Sequence, residues 1–444
     1  MNDNTPSDES SRSRRDFLKA STTAAVGGAI ASSIILPRNA HAGVDDTLKI
    51  GLVGCGGRGG GATKDALVST GNVRLVAMAD AFEDNLQNKR RQLMEDKELA
   101  SIKDRIDVPL DRCYVGFDAY KQVLASDIDV VILATPPGFR PIHFAAAVEA
   151  GKNIFMEKPV AVDAPGIRKV LAAAKEARKK KLAVGVGLQR HHQNVYIETM
   201  KRLKDGAIGD ISYMRAYWNG ITPWIRARKP GQTEMEYQMR NWYFFNWLCG
   251  DHITEQHIHN LDVINWLKEG HPVKANGMGG RQVRTGRDTS EIFDHHFVEF
   301  EYEDGSRCYS QCRHIAGCFN SVSEHAHGTK GSVNIGAGRI TGDNAWRYRG
   351  RGDISPYRQE HNDLYAAIRS GNPYVEAEYG AISTMTSIFG RMATYSGKAL
   401  NWDDAINSNI DLAPENYAWD AMPQVLPGPD GYYPHANPGT SIVV

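Results

Sequence analysis

The stretch Thr47–Phe82, TLKIGLVGCGGRGGGATKDALVSTGNVRLVAMADAF, decides the fold. Residues 48–53 form a short apolar run that reads as a buried strand, and that strand runs straight into Gly54-x-Gly56-x-x-Gly59. The segment after the glycines, to about Thr70, has helical character, and a second apolar run over 73–79 ends in Asp80. A glycine loop alone is a common turn. A strand before it, a helix after it and an acid 21 residues beyond Gly59 make a dinucleotide fingerprint in its required context. Gly54 allows the tight turn, Gly56 lets backbone N–H groups approach a pyrophosphate, and Gly59 lets helix and strand pack closely. The N-terminus of the helix then favours the anionic phosphates. Asp80 is placed to accept hydrogen bonds from ribose hydroxyls and to repel a 2′-phosphate. Neither Ala81 nor Phe82 brings a positive charge, so NAD is expected rather than NADP.

The alternation of strand and helix continues outward. A helix near 118–126 precedes the strand "DVVILATPP", and a helix of apolar spacing over about 139–150 precedes the strand "KNIFM". A Lys-rich amphipathic helix over about 163–180 and the strand "LAVGVG" complete the series. Strands separated by helices predict a doubly wound parallel sheet with ligands at the strand C-terminal ends. Thr135, Glu157, Lys158 and Arg190 all fall just past such ends. The expected cofactor-facing set is Gly54, Gly56, Gly57, Arg58, Gly59, Asp80, Thr135, Pro136, His143, Glu157, Lys158 and Arg190.

The fingerprint, "ATPP", "AGKNIFMEKP" and the later "HNLD" together resemble the glucose–fructose oxidoreductase/inositol dehydrogenase (Gfo/Idh/MocA) family. The resemblance runs over most of the chain and is strongest from 48 to 190. It implies an N-terminal Rossmann domain followed by an α/β domain with an open, mostly antiparallel sheet, whose outer face makes a dimer or tetramer. It also implies that Lys158, in the Glu-Lys-Pro motif, lies beside nicotinamide and a substrate hydroxyl. A hydride leaves a carbinol carbon only as the hydroxyl proton departs, so a group must accept that proton. Burial and a positive nicotinamide ring both disfavour an ammonium, which suits Lys158 to the task. A surface lysine paired with Glu157 is the bland alternative.

From 211 the pattern changes. "ISYMRAYW", "FDHHFVEFEY" and "SRCYSQCRH" alternate as half-exposed strands do, and "FVEFEYEDGSRCYSQ" reads as a hairpin turning at Asp304-Gly305. Segments 357–370 and 378–399 read as helices, and the tail after Asn401, rich in Pro, Gly and Asn, is expected to wrap a surface. His259 and Asp262 match the family's H-x-x-D motif, which implies a catalytic histidine and a substrate-contacting acid. Glu255 stands where the inositol-dehydrogenase type carries aspartate, and His257 where that type often has glycine. On one helix, Glu255 and His259 at i and i+4 share a face, so the carboxylate can orient the imidazole. His252, Glu255, His257 and His259 also raise a metal reading. No H-E-x-x-H or paired Cys-x-x-Cys supports it, so no metal is expected. Among the tryptophans and tyrosines of 217–247, Trp224 and Tyr243, with Arg226, are the candidate sugar-binding residues; a packed core or subunit interface is the alternative use of such aromatics.

Ahead of the first strand, "SRRDFLKAS" resembles a twin-arginine export signal. A mildly apolar run and Ala40-His41-Ala42 follow, so residues 1–42 read as a cleaved leader rather than a membrane anchor. The expected layout is a leader over 1–42, the Rossmann domain over 43–190, the α/β domain over 191–400 and an extension over 401–444. The expected location is the periplasm, reached folded through the twin-arginine machinery. Five of the 52 Lys+Arg and four of the 52 Asp+Glu fall within the leader, so the remainder carries a net −1 and nucleic acid is not an expected partner. Six scattered cysteines make no disulfide framework. The reading is an exported, NAD-dependent sugar oxidoreductase. "GCGGRG" and the C-terminal "RQEHNDLYAAIRSG" and "GRMATYSGKALNW" also resemble the NAD-dependent N-acetylgalactosaminidase-like branch, which implies a glycoside hydrolase using NAD transiently. A non-catalytic sugar-binding protein is the third alternative.

Overall fold

The computed structural model describes residues 46–444, which form one compact unit. The expected leader over 1–42 lies outside the described residues. Six strands make the first sheet: β1 (Leu48–Val53), β2 (Val73–Asp80), β3 (Cys113–Val115), β4 (Val130–Leu133), β5 (Asn153–Met156) and β6 (Val184–Val186). They run in the order β3-β2-β1-β4-β5-β6, all parallel, as the alternation predicts. Helices α1 (Gly57–Leu67), α2 (Glu83–Glu95), α3 (Ala119–Ala125), α4 (Arg140–Glu149), α5 (Ala164–Lys179) and α6 (Asn194–Lys204) accompany them. β4 is buried at every residue, because helices cover both faces of the sheet and leave it no polar side. The order reverses between β1 and β4, so the glycine loop after β1 opens at the topological switch point.

The second sheet has nine strands. β7 (Ile211–Gly220), β8 (Lys274–Gly280), β9 (His295–Glu301), β10 (Arg307–His314), β11 (Ser321–Gly328) and four shorter strands run antiparallel except for the β7–β10 pair. β9 alternates strictly between half-exposed and buried residues, so one face of this sheet packs inward and the other faces out. The expected hairpin is present: β9 and β10 pair antiparallel across a turn in which Gly305 takes φ 80°. Cys308 and Cys312 both lie on the buried face of β10.

Between β7 and β8 the chain forms α7 (Glu234–Arg240), α8 (Asn246–Cys249), α9 (His252–Glu255) and α10 (Ile258–Lys268). Two late helices then tie the halves together. α11 (Pro356–Ser370) returns to the first sheet, where Leu364 and Tyr365 join the same core cluster as Phe155 and Ala183. α12 (Ala377–Ser396) joins a single core with residues of both sheets, including Val184 of β6 and Val298 and Phe300 of β9. Burying one Leu-sized side chain contributes roughly 1.5–3 kcal/mol, so these helices weld the sheets rather than decorate them. No helix among the described residues is long and apolar enough to cross a membrane.

Candidate functional site

A cleft of about 1650 Å³ opens along the C-terminal ends of β1, β2, β4 and β5 and is lined on its far side by residues 223–259. Gly54 ends β1 with φ +100°, and a Cβ there would come within 2.6 Å of the Ala134–Thr135 backbone. At Gly59 a Cβ would lie 1.9 Å from the carbonyl oxygen of Gly54, so only glycine lets α1 approach the strand. At Gly56 and Gly57 a Cβ would meet nothing within 4 Å. These two residues present bare backbone to the cleft at the start of α1, which has no side-chain cap and no acid in its first turn. That cradle fits a phosphate-bearing dinucleotide. Asp80 ends β2, where Oδ2 accepts from the Cys55 N–H (2.7 Å) and Oδ1 from the Phe82 N–H (2.8 Å). Burial raises its pKa and these bonds pull it back down.

The expected residues beyond β4 and β5 also reach the cleft. Thr135 Oγ1 lies 3.2 Å from Nδ1 of His143, and Pro136 begins the turn into α4. Burial, followed by the charge of Arg140, lowers the His143 pKa to about 3, so its ring is neutral. Arg58 Nε donates to Glu157 Oε1 at 2.5 Å. Arg190 NH1 donates at 2.5 Å to Glu324, a wholly buried carboxylate on β11. Lys158 Nζ donates to the carbonyl oxygen of Glu255 (2.5 Å) and lies 3.2 Å from its Oε1, with both side chains about one-tenth exposed. Its partner is therefore Glu255, not Glu157. Burial raises the Glu255 pKa, and Lys158 partly offsets this. His259 lines the same part of the cleft, its ring 5.9 Å from that of Trp218 and stacked on it. Burial, then the positive charges of Lys158, Arg190 and Arg58, lower its pKa well below the ordinary range. Its Nδ1 is buried and has no partner among the described residues, while the residue itself lines the cleft.

Two expectations are corrected. Glu255 and His259 do not share a continuous helix: α9 is a single turn ending at Glu255, and α10 restarts at Ile258. The interruption falls where His257 turns inward, its Nε2 2.7 Å from Ser310 on β10, so Glu255 is drawn to Lys158 and does not orient the imidazole. Asp262 is not at the cleft. It lies nearly a turn deeper on α10, where Oδ2 meets His191 Nε2 (2.9 Å) and Oδ1 accepts from Ser383 (2.8 Å). Trp224, Arg226 and Tyr243 do line the cleft; Arg226 stands over the Trp224 ring and Tyr243 packs edge-on to it.

The four residues weighed as metal ligands diverge, since His252 bonds Asp251, His257 bonds Ser310, Glu255 bonds Lys158 and His259 faces the cleft. Among the described residues a different trio converges: Asp251, His252 and His296. The Asp251 carboxylate already accepts from Tyr395 (2.6 Å), the Phe293 N–H (2.9 Å) and His252, which is the coordination of a satisfied buried anion. Sequence reasoning missed Arg140, which lines the cleft. Arg140 donates to the Thr135 carbonyl at 2.6 Å and stands three residues past the "TPP" turn, the one signal that could have found it.

Two family models match the chain: the Gfo/Idh/MocA oxidoreductase family model with an NAD-binding Rossmann fold over residues 48–186, and the Gfo/Idh/MocA C-terminal domain over 196–334. An inositol 2-dehydrogenase of Klebsiella pneumoniae (strain 342) is 25% identical over 264 residues, 59% of this chain and 65% of that protein. An inositol 2-dehydrogenase of Gluconacetobacter diazotrophicus is 28% identical over 249 residues, 56% of this chain and 61% of the other. The chain thus matches somewhat less than two thirds of the length of these relatives. Among solved structures, the aldose-aldose oxidoreductase from Caulobacter crescentus superposes with a TM-score of 0.63 at 17% identity, covering 80% of this chain and 99% of that one. A levoglucosan dehydrogenase bound to NADH and levoglucosan superposes with a TM-score of 0.61 at 18% identity, covering 80% and 99%. Identity at that level shows the shared fold.

Proposed function

We propose, from the premise that this chain belongs to the Gfo/Idh/MocA oxidoreductase family, that it is an NAD-dependent oxidoreductase acting on a hydroxyl carbon of a sugar or sugar derivative. One observation carries the reading: Lys158, Glu255 and His259 border one stretch of a cleft whose other end is the bare glycine cradle. Gly54, Gly56, Gly57 and Asp80 hold the dinucleotide, which when bound supplies the hydride acceptor. The chain's own task is the proton. Lys158, fixed by two contacts to Glu255, meets the reacting hydroxyl, and neutral His259 accepts or relays its proton. Trp224 and Tyr243 offer aromatic faces to the C–H face of a ring, and Arg226 a donor to its hydroxyls.

A second reading is a glycoside hydrolase with a redox-neutral cycle. It is favoured by Glu255, a buried carboxyl with a raised pKa near a neutral histidine, a pair able to give and take a proton at a leaving group. Incubating purified protein with a panel of sugars and aryl glycosides separates the readings. Net NADH supports the dehydrogenase, aglycone without net NADH supports the hydrolase, and neither product leaves sugar binding alone. The resemblance of residues 1–42 to a twin-arginine export signal supports a periplasmic location, reached folded. The outward face of the second sheet, with Tyr213, Tyr309 and the 72%-exposed Met278, suits a second copy of the chain, a dimer or tetramer that light scattering would size.

A further inference from the structure

The described residues hold three hydrophobic clusters, and the third is the core of neither sheet. It joins Phe82 and Phe139 from the first domain, Met239 and Tyr243 from the segment between β7 and β8, and Tyr433 from the tail, with Tyr417 and Trp419 packed against it. Phe82, Phe117 and Phe139 also line the cleft: Phe82 two residues past Asp80, Phe117 just past β3, and Phe139 at the turn after β4. If Gly56 faces a pyrophosphate and Asp80 a ribose, these three rings border the adenosine half of the site.

The tail supports their far sides. Trp419 stands 4.6 Å from Phe117 and 5.0 Å from Phe82, ring centroid to centroid, and Tyr417 stands 5.4 Å from Phe139. Arg240 of α7 covers Phe82 at 3.7 Å while its NH1 donates to both carboxylate oxygens of Asp84. The tail's course is pinned at intervals. The Leu412 N–H donates to Asp163 (2.9 Å), the Val425 carbonyl accepts from Gln238 of α7 (2.7 Å), and the Gly439 N–H donates to the end of α12 (2.7 Å). The segment therefore runs from the first domain to the second, with Tyr417 and Trp419 packed against the cleft-wall rings.

We propose that the tail completes the cofactor site through Trp419 and Tyr417, positioning residues that hold the adenosine wall closed and make NAD a retained cofactor. The inference rests on the proposed dinucleotide binding. The wall loops after β2 and β3 cannot part to free the adenosine without lifting off Trp419, so release is coupled to loosening of the tail.

The test is the rate at which NADH, loaded and then chased with excess NAD, leaves the full-length protein, followed by its fluorescence. Trp419→Ala removes two aromatic contacts and is expected to speed release about tenfold or more. Trp419→Phe is expected to restore most of the retention, because a ring still fills the space. Tyr432→Ala, on an exposed tail ring that packs against Arg287, is expected to change nothing. If Trp419→Ala fails to fold, Tyr417→Ala reads the same wall through Phe139. Release from Trp419→Ala (or Tyr417→Ala) at the wild-type rate overturns the proposal, as does equal acceleration by Tyr432→Ala. Wild-type protein that binds no dinucleotide would overturn the proposed function instead, a result distinct from either.

Discussion

Replacing Lys158 with alanine separates catalysis from stability, because the structure sets a ceiling on the stability cost. Lys158 is tied to one residue, Glu255, in a pocket where both side chains are about one-tenth exposed. Removing one partner of a buried pair leaves a carboxylate without its cation. That carboxylate has an escape: it takes a proton. From the ordinary glutamate value of 4.5, protonation at pH 7 costs at most about 3.5 kcal/mol, at about 1.4 kcal/mol per pH unit. The real loss is smaller, because burial already raises the Glu255 pKa in the native protein. The sign follows directly. A carboxyl whose folded pKa lies above its unfolded value lowers stability once pH exceeds the unfolded value, and the loss grows until the folded pKa is reached. Lys158→Ala should therefore melt at most about 4 °C lower at pH 7, using roughly 2.1 cal/mol/K per residue for a chain of this size. At pH 4.5–5 it should melt within about 1 °C of the parent. Turnover should fall by about 10²-fold or more at every pH. Thermal scans at both pH values, together with initial rates on the substrate the panel identifies, test each half. Near wild-type turnover would put the chemistry elsewhere, and an equal melting shift at both pH values would mean that Glu255 is not the ionic partner.

Asp80→Ser should narrow the preference for NAD over NADP by about tenfold, since it removes one repulsion from a 2′-phosphate without adding a partner; parallel titrations read this, and wild-type protein that binds NADP as tightly as NAD would undo the assignment of Asp80. Burial raises the pKa of Glu291 to about 7, so the native protein loses stability as pH climbs from 4.5 through 7, and Glu291→Gln should be more stable than its parent at pH 8 by about 3 kcal/mol yet little changed at pH 4.5. Equal shifts at both pH values, in denaturant titrations, would contradict that cause. At the proposed periplasmic location the protein would have no obvious supply of NAD, so purified, desalted protein should release dinucleotide on unfolding; fully folded protein that is empty and active only with added micromolar cofactor would count against a retained cofactor.

The parts of this protein that could be read from sequence are those built from local pattern. Apolar runs ending in glycine or acid placed β1, β2 and the cradle, because a strand buried on both faces needs nothing beyond its own six residues to be recognised. The antiparallel sheet was legible for the same reason: alternation on β9 and the Asp304-Gly305 turn are short-range signals. What stayed hidden depends on side chains far apart in sequence. Lys158 and Glu255 are 97 residues apart, and nothing in "MEKPV" says which acid the lysine will meet. Arg190 and Glu324 are 134 apart. Trp419 lies in a segment whose composition says only turn and coil, yet its packing against Phe82 and Phe117 shapes the cleft wall.

The error at Glu255 and His259 has a physical origin that periodicity cannot report. Asp251 opens α9 at φ 68° and ψ 162°, a conformation that for a residue other than glycine costs on the order of 1–3 kcal/mol. Its carboxylate answers that strain. It accepts from the backbone N–H of His252 (2.5 Å) and of Phe293 (2.9 Å), from Tyr395 (2.6 Å) and from the His252 ring (2.8 Å). Each bond to a buried charge contributes roughly 1.5–3 kcal/mol, so together they outweigh the strain. Although burial pushes the Asp251 carboxyl up, His296 and His252 hold it well below the usual range, and it stays ionised. The helix thus starts at a fixed point and is interrupted after one turn where His257 turns in to Ser310, leaving Glu255 facing Lys158. A chain free to follow helical propensity would carry the turn on through His257 and put Glu255 over His259. Sequence spacing described that unconstrained helix. The buried anion that starts α9 and the His257–Ser310 contact that interrupts it together give the other arrangement, and with it the partner of the lysine on which the proposed chemistry depends.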